Sequence, residues 1–170
     1  MVKKLGISAR AAVLLLLTAQ IALLMSSCAE SAPYYADVGA LYVKMTEAAD
    51  LSQMYVLDSE TIRIDYGIRG EHVKQLCVAN SSKVTDASEI FICEAADAES
   101  LDFIVAKLNS RRSRKMNELR DYENNPGRQE QWLNLERAEV FCRDMFVFYM
   151  VMDDRGVLVE IVDSAEAPAK

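Results

Sequence analysis

A chain of 170 residues that is 51% hydrophobic is too apolar for intrinsic disorder. Its 26 acidic against 19 basic groups, a formal net charge of −7, argue against nucleic acid or an anionic surface as the main partner.

The first residues carry a basic start, Lys3, Lys4 and Arg10, followed by an apolar run from Ala11 to Met25 broken only by Thr18 and Gln20. Together these read as an export signal. The run ends in Leu24-Met25-Ser26-Ser27-Cys28. Two small residues let a peptidase reach the backbone, and a thiol at the first mature position is the group that accepts a diacylglycerol in thioether linkage. The stretch resembles a bacterial lipobox, with Met25 where leucine is more usual, so residues 1–27 are read as a lipoprotein signal peptide and Cys28 as the lipid attachment site. The runner-up is an uncleaved anchor, although the run is shorter than the roughly 20 residues that a spanning helix needs. A plain secretory signal cut elsewhere comes third. Either leading reading places residues 28–170 outside the membrane, on its outer face. Cleavage removes three basic and no acidic residues, leaving 16 basic against 26 acidic groups, a net charge of −10. The remaining length suits one domain with a single core.

Residues 28–36 are small and polar around Pro33 and form a short tether. A single domain over 37–165 follows, and 166–170 are a frayed tail. Asp37 caps a helix to about Ala49, with Val38, Leu41, Tyr42, Met45 and Ala49 at helical spacing. Leu51 to Ile68 is ambiguous, since Ile62 and Ile64 alternate with charges while Asp58-Ser59-Glu60-Thr61 looks like a helix start. Val73–Ala79 and Ile90–Ala95 are apolar, β-branched runs on either side of the polar stretch Asn80–Glu89, a hairpin with a long loop. Asp97 caps a long helix to about Tyr122 with Leu101, Ile104, Val105, Leu108, Met116 and Leu119 on one stripe. At about 39 Å it outreaches a six-residue strand of about 20 Å, so its second half overhangs or bends. Arg112 and Lys115 interrupt the stripe there, as long basic stems do when they snorkel. Glu123-Asn124-Asn125-Pro126-Gly127 ends it.

Gln129–Arg137 reads as a short helix with Trp132, Leu133 and Leu135 inward. Ala138–Cys142 and Met145–Met152 form a second hairpin around Arg143-Asp144. The strand Met145–Met152 is apolar on both faces, the pattern of a central strand covered on both sides. Asp153 or Asp154 caps a last helix with Val157, Leu158, Ile161 and Val162 inward. The order gives an α+β fold of two layers: a four-stranded antiparallel sheet made of two hairpins, a long helix between them, helices on one face, and the N-terminal signal or anchor helix. The hairpin-plus-helix unit occurs twice in pattern. Cys77, Cys93 and Cys142 each fall in an apolar strand, where a cysteine is a small buried hydrophobe; a Cys77–Cys93 bridge would need a favourable cross-strand geometry.

The mature region resembles an uncharacterised domain-of-unknown-function family of small lipoproteins from clostridia-type Gram-positive bacteria. The matching residues are Asp65-Tyr66-Gly67-Ile68, Val78-Ala79-Asn80-Ser81-Ser82, Asp86-Ala87-Ser88-Glu89-Ile90-Phe91, Ala95-Ala96-Asp97-Ala98-Glu99-Ser100 and Leu135-Glu136-Arg137-Ala138-Glu139-Val140. The resemblance implies a short helix over Leu57–Ile68 that ends at the Tyr-Gly-Ile turn. The chain departs from the pattern at Arg143-Asp144, where a glycine-containing turn is common, and in its three mature cysteines.

No Gly-x-Ser-x-Gly elbow, Cys-x-x-Cys, His-Glu-x-x-His or phosphate loop is present. His72 is the only histidine. Its spacing to the cysteines matches no metal-ligand pair, so neither a metal site nor a cofactor is expected. Two candidate surfaces remain. Arg111, Arg112, Arg114 and Lys115 form the one dense basic cluster, a partner surface or else a solvated helix overhang. Asn80, Ser81 and Ser82 open a polar loop that could take a ligand, or simply turn the chain.

The expectation is therefore a non-enzymatic interaction module, held to the cell membrane by a lipid on Cys28 and meeting another cell-envelope protein. The alternative is a small-ligand receptor or accessory lipoprotein of an uptake system, which needs a concave apolar site between sheet and helices. An enzyme would need paired carboxylates such as Asp58 and Glu60 at a cleft.

Overall fold

The computed structural model describes residues 33–165 except positions 84 and 127. The signal or anchor segment, Cys28 and the tail 166–170 lie outside the described residues. Among the described residues five α-helices and five strands follow one another as α1 (Val38–Ala48), β1 (Met54–Val56), α2 (Ser59–Tyr66), β2 (Val73–Ser81), β3 (Glu89–Ala95), α3 (Ala98–Glu118), α4 (Gln129–Arg137), β4 (Val140–Arg143), β5 (Phe146–Val151) and α5 (Arg155–Asp163). One antiparallel sheet runs in the order β1-β2-β3-β5-β4.

The sheet has one strand more than the sequence predicted. Met54–Val56 adds to the edge of β2, pairing Met54 with Ser81 and Val56 with Ala79. Three residues carry no readable alternation. The segment is held by its pairing and by the Ser82 amide, which donates to the Gln53 carbonyl at 2.8 Å.

Helices cover both faces of the sheet, not one. Phe91, Cys93, Val147 and Tyr149 point to one side, where Ile62 and Tyr66 of α2, Ile104 and Leu108 of α3 and Leu135 of α4 meet them. Ile90, Ile92, Phe146, Phe148 and Met150 point to the other, under Val38, Leu41 and Met45 of α1 and Leu158 and Val162 of α5. The reason lies in the two inner strands. β3 and β5 are apolar at consecutive positions, so both their faces must be removed from water, and a single helical layer would leave half of each strand wet. The same alternation separates the thiols. Leu76 is the partner of Cys93 and Cys77 that of Ile92, so Cys77 and Cys93 lie on opposite faces and cannot be joined. All three described cysteines are free, and burial pushes the thiol of Cys77 up to about 11 and that of Cys93 up to about 12.

Three aspartates start helices as their positions predict. Asp37, Asp58 and Asp97 accept from the amides of Ala40 (2.7 Å), Thr61 (2.8 Å) and Ser100 (2.7 Å), each satisfying a donor that the helix itself cannot. Asp154 occupies the cap position of α5 without a capping bond. At α2 the chain stops on Gly67 at φ +68°, whose amide donates to the Arg63 carbonyl at 3.1 Å; a glycine takes this left-handed conformation without a Cβ penalty. Asp144 does the same between β4 and β5 at φ +50°, a conformation that aspartate tolerates better than most residues. Its carboxylate accepts from the Tyr34 amide, a bond that a glycine there could not make.

That bond also shortens the tether. Tyr34 packs edge-on against Phe146 and Phe148, at 5.2 and 6.0 Å between ring centroids, and its hydroxyl donates to the Val162 carbonyl. Ala36 is buried. Residues 34–36 thus belong to the fold. Among the inward residues expected of α4, Leu135 is fully buried, whereas Trp132 and Leu133 are half-buried.

Candidate functional site

The α3 helix is 21 residues long, about 31 Å. It starts beside the β4–β5 turn and runs back along the sheet toward the β2–β3 loop. Ile104 and Leu108 fill its buried stripe, and the next positions at the same spacing are Arg111 and Lys115. The stripe continues into the cations rather than past them.

What receives them is Glu89, the first residue of β3, on the same sheet face as Phe91 and wholly buried. Its Oε2 accepts from Arg111 Nε at 2.9 Å and lies 2.8 Å from Arg111 Nη2 and 3.0 Å from Lys115 Nζ. The Tyr66 hydroxyl stands 2.9 Å from the same oxygen and 2.9 Å from Asn80 Oδ1. A hydroxyl has one proton, and the ionised carboxylate is the stronger acceptor. Turning the Asn80 amide so that its NH₂ donates to the hydroxyl satisfies both groups. The Arg111 guanidinium sits over the Tyr66 ring, 3.9 Å from its centroid, and its Nη1 donates to the Asp65 carbonyl at 3.1 Å. Lys115 also donates to the Ala87 carbonyl at 3.3 Å. One carboxylate therefore ties α2, β2, α3 and the loop before β3 together. Among the described residues Glu89 Oε1 and the buried Tyr149 hydroxyl have no partner at full hydrogen-bond geometry, although Glu89 lies near enough to Tyr149 to hold its hydroxyl protonated.

Burial opposes ionisation of Glu89, but Lys115 and Arg111 outweigh it and hold the carboxyl below its ordinary value. Burial likewise works against Arg111, and Glu89 more than restores its charge. Lys115 bears the shortfall: its ammonium is pushed below the usual lysine value by burial, since Glu89 is shared with Arg111. Two cations on one carboxylate leave the cluster with a single positive charge. Burial and the neighbouring Glu89 drive the Tyr66 and Tyr149 hydroxyls far above the ordinary tyrosine value, so both stay neutral.

The four cations read from the sequence as a surface are thus divided. Arg111 is 8% exposed and Lys115 is largely covered. Arg112 turns to the carbonyls of Leu135, at 3.1 Å, and Glu136, closing the last turn of α4. Only Arg114 is open to solvent, in a loose 3.7 Å pair with Glu118. The polar loop is likewise engaged. Asn80 faces Tyr66, and Ser81 Oγ accepts from the Lys83 amide. Asp86 accepts from the Ser88 amide and hydroxyl. Ser82 is exposed.

The remaining sequence candidates have structural partners. Asp58 caps α2, and Glu60 pairs with Arg63 at 2.5 Å. His72 stacks on Phe103 with centroids 4.4 Å apart, and its Nδ1 accepts from the Arg69 amide. Among the described residues no group of three or more His, Cys, Asp or Glu is placed to hold a metal ion.

Glu89 itself escaped sequence reading, though a signal was there. It stands in register with Phe91 and Cys93 on an inward face, and a carboxylate at such a position needs a counter-charge. Arg111 and Lys115, at core spacing from Leu108, supply it.

A family model described as a domain of unknown function, DUF4358, matches residues 47–152. No curated protein and no solved structure matches the chain. The matched stretch contains the whole sheet and the Glu89 cluster, while α5 and all but the last two residues of α1, which cover the second face, lie outside it.

Proposed function

The chain belongs to the DUF4358 family, a domain of unknown function, and from that premise we propose a lipid-anchored module on the outer face of the membrane that works by binding another cell-envelope protein rather than by catalysis. The observation that carries the reading is the lipobox-like run ending at Cys28, five residues before Pro33. Five residues reach at most about 18 Å. The domain is then held by the end that carries Tyr34, the β4–β5 turn and the C-terminus of α5. The opposite end, with the β2–β3 loop and the last turns of α3, faces away from the membrane.

The chemistry of the described groups supports binding over catalysis. Glu89 Oε2, Arg111, Lys115 and Tyr66 pair with one another in the interior, and Asp58 and Glu60 are engaged in a cap and an exposed ion pair. No helix among the described residues is long and apolar enough to cross a membrane. The second reading, a small-ligand receptor or an accessory lipoprotein of an uptake system, has one observation in its favour, a cationic depression of about 270 Å³ beside Arg111.

Surface crosslinking on intact cells, followed by mass spectrometry, tests the leading reading. The expected result is one discrete envelope protein joined through the far end of the domain, where Lys83 is exposed in the β2–β3 loop. Enrichment of no protein at all would overturn it.

A further inference from the structure

Between the C-terminus of α2 and the middle of α3 the surface dips into a depression of about 270 Å³, smaller than the roughly 300–1,000 Å³ of sites for drug-sized molecules. Its α3 wall is Lys107, Ser110, Arg111 and Arg114, spaced so that all four share one helix face. The opposite wall is the turn Asp65-Tyr66-Gly67. Lys107 makes no ion pair among the described residues. Its ammonium lies across Gly67, 3.4 Å from where a Cβ would stand, so the bare turn leaves the charge at the rim.

The floor is preorganised. Arg111 is held by Glu89, the Asp65 carbonyl and the Tyr66 ring, and a guanidinium has more N–H groups than these contacts use. A rigid, largely buried fork flanked by a lysine, a second arginine and a hydroxyl is the donor set that phosphate takes. The charge balance agrees. Asp65 is the one carboxylate in the wall, against Lys107, the single positive charge of the Glu89 cluster, and Arg114, whose 3.7 Å pair with Glu118 is open to solvent and screened there. In a chain with an acidic excess, such a concentration of cations in a concave site stands apart.

We propose that this depression binds a phosphate group. The Tyr34 end of the domain lies at the β4–β5 turn on the other face of the sheet, so the phosphate is one carried in solution or on a polymer rather than the headgroup of the anchoring membrane. That choice of source rests on the anchor reading; the site itself does not.

The test uses the full-length protein in neutral detergent, with inorganic phosphate as the probe and calorimetry as the readout. Saturable one-site binding is expected, weakened roughly tenfold in a Lys107→Ser, Arg114→Ser double variant, the scale of two partly exposed charges. Both side chains are exposed, so the variant keeps its unfolding midpoint. Absence of saturable binding, or equal binding by the double variant, would overturn the site. A second arm measures Cys28→Ala protein on phosphatidylglycerol vesicles. Vesicle binding that the double variant abolishes would overturn the source, whereas vesicle binding that is absent or unaffected by the double variant supports a non-lipid phosphate. Either failure leaves lipid attachment at Cys28 untouched, so the two readings fail separately.

Discussion

Glu89→Gln is expected to lower the unfolding free energy by about 3–5 kcal/mol, a large part of the roughly 5–15 kcal/mol that holds a domain of this size together. The substitution keeps shape and volume, so the loss is electrostatic. Arg111 and Lys115 remain in the interior beside Tyr66 with no carboxylate, and a desolvated cation without its partner is far costlier than an intact pair is beneficial. A triple variant that combines Glu89→Gln with Arg111→Met and Lys115→Met recovers most of the loss, because the charges leave together. Urea unfolding of the three proteins measures it, and a loss under about 1 kcal/mol in the single variant would show that the cluster does not organise this end of the sheet. The pH dependence follows from the same geometry. Because folding holds the Glu89 carboxyl below its unfolded value of about 4.3, its contribution is fully present above that value and disappears as the pH falls through the lower folded one. Wild type therefore loses stability in acid that Glu89→Gln has already lost, and the two stability curves converge at low pH.

Phe148→Ala is expected to cost about 3–5 kcal/mol. The ring is fully buried in the middle of β5, which is itself flanked by β3 and β4. It stacks on Phe141 at 5.2 Å and 21° and meets the edge of Tyr34. Removing it opens a cavity on the face covered by α1 and α5 and frees the residue through which the N-terminal segment is fastened to the domain. Denaturant midpoints report the first effect. Earlier cleavage by protease near Pro33 reports the second, and a variant as stable and as resistant as wild type would contradict the central place of β5.

Much of this architecture is written locally. The Asp37, Asp58 and Asp97 caps, both hairpins and the doubly apolar strand over Phe146–Val151 follow from propensity and period, because each depends on neighbours within a few residues. What is not local was lost. β1 exists only because β2 offers it an edge, and three residues of Met-Tyr-Val carry no period. The second helical layer was implicit in Phe146–Val151, whose two apolar faces demand two covers, yet Val38, Leu41 and Met45 do not announce which face they take. The basic run on α3 misled for a similar reason. Charge reads as surface until a buried partner is found, and Glu89 stands 22 residues before Arg111. Asp144 shows the reverse. It takes the left-handed conformation itself, with no glycine in the turn, and uses its carboxylate to hold Tyr34.

The proposed anchor at Cys28 is tested most directly by the mass of the N-terminal peptide of the protein taken from membranes of cells expressing wild type or Cys28→Ala. The wild-type peptide is expected to begin at Cys28 and carry a diacylglycerol, and the variant to carry no lipid and leave the membrane fraction. A mature protein that begins elsewhere, or an unlipidated one that stays in the membrane with residues 1–27 attached, would contradict it.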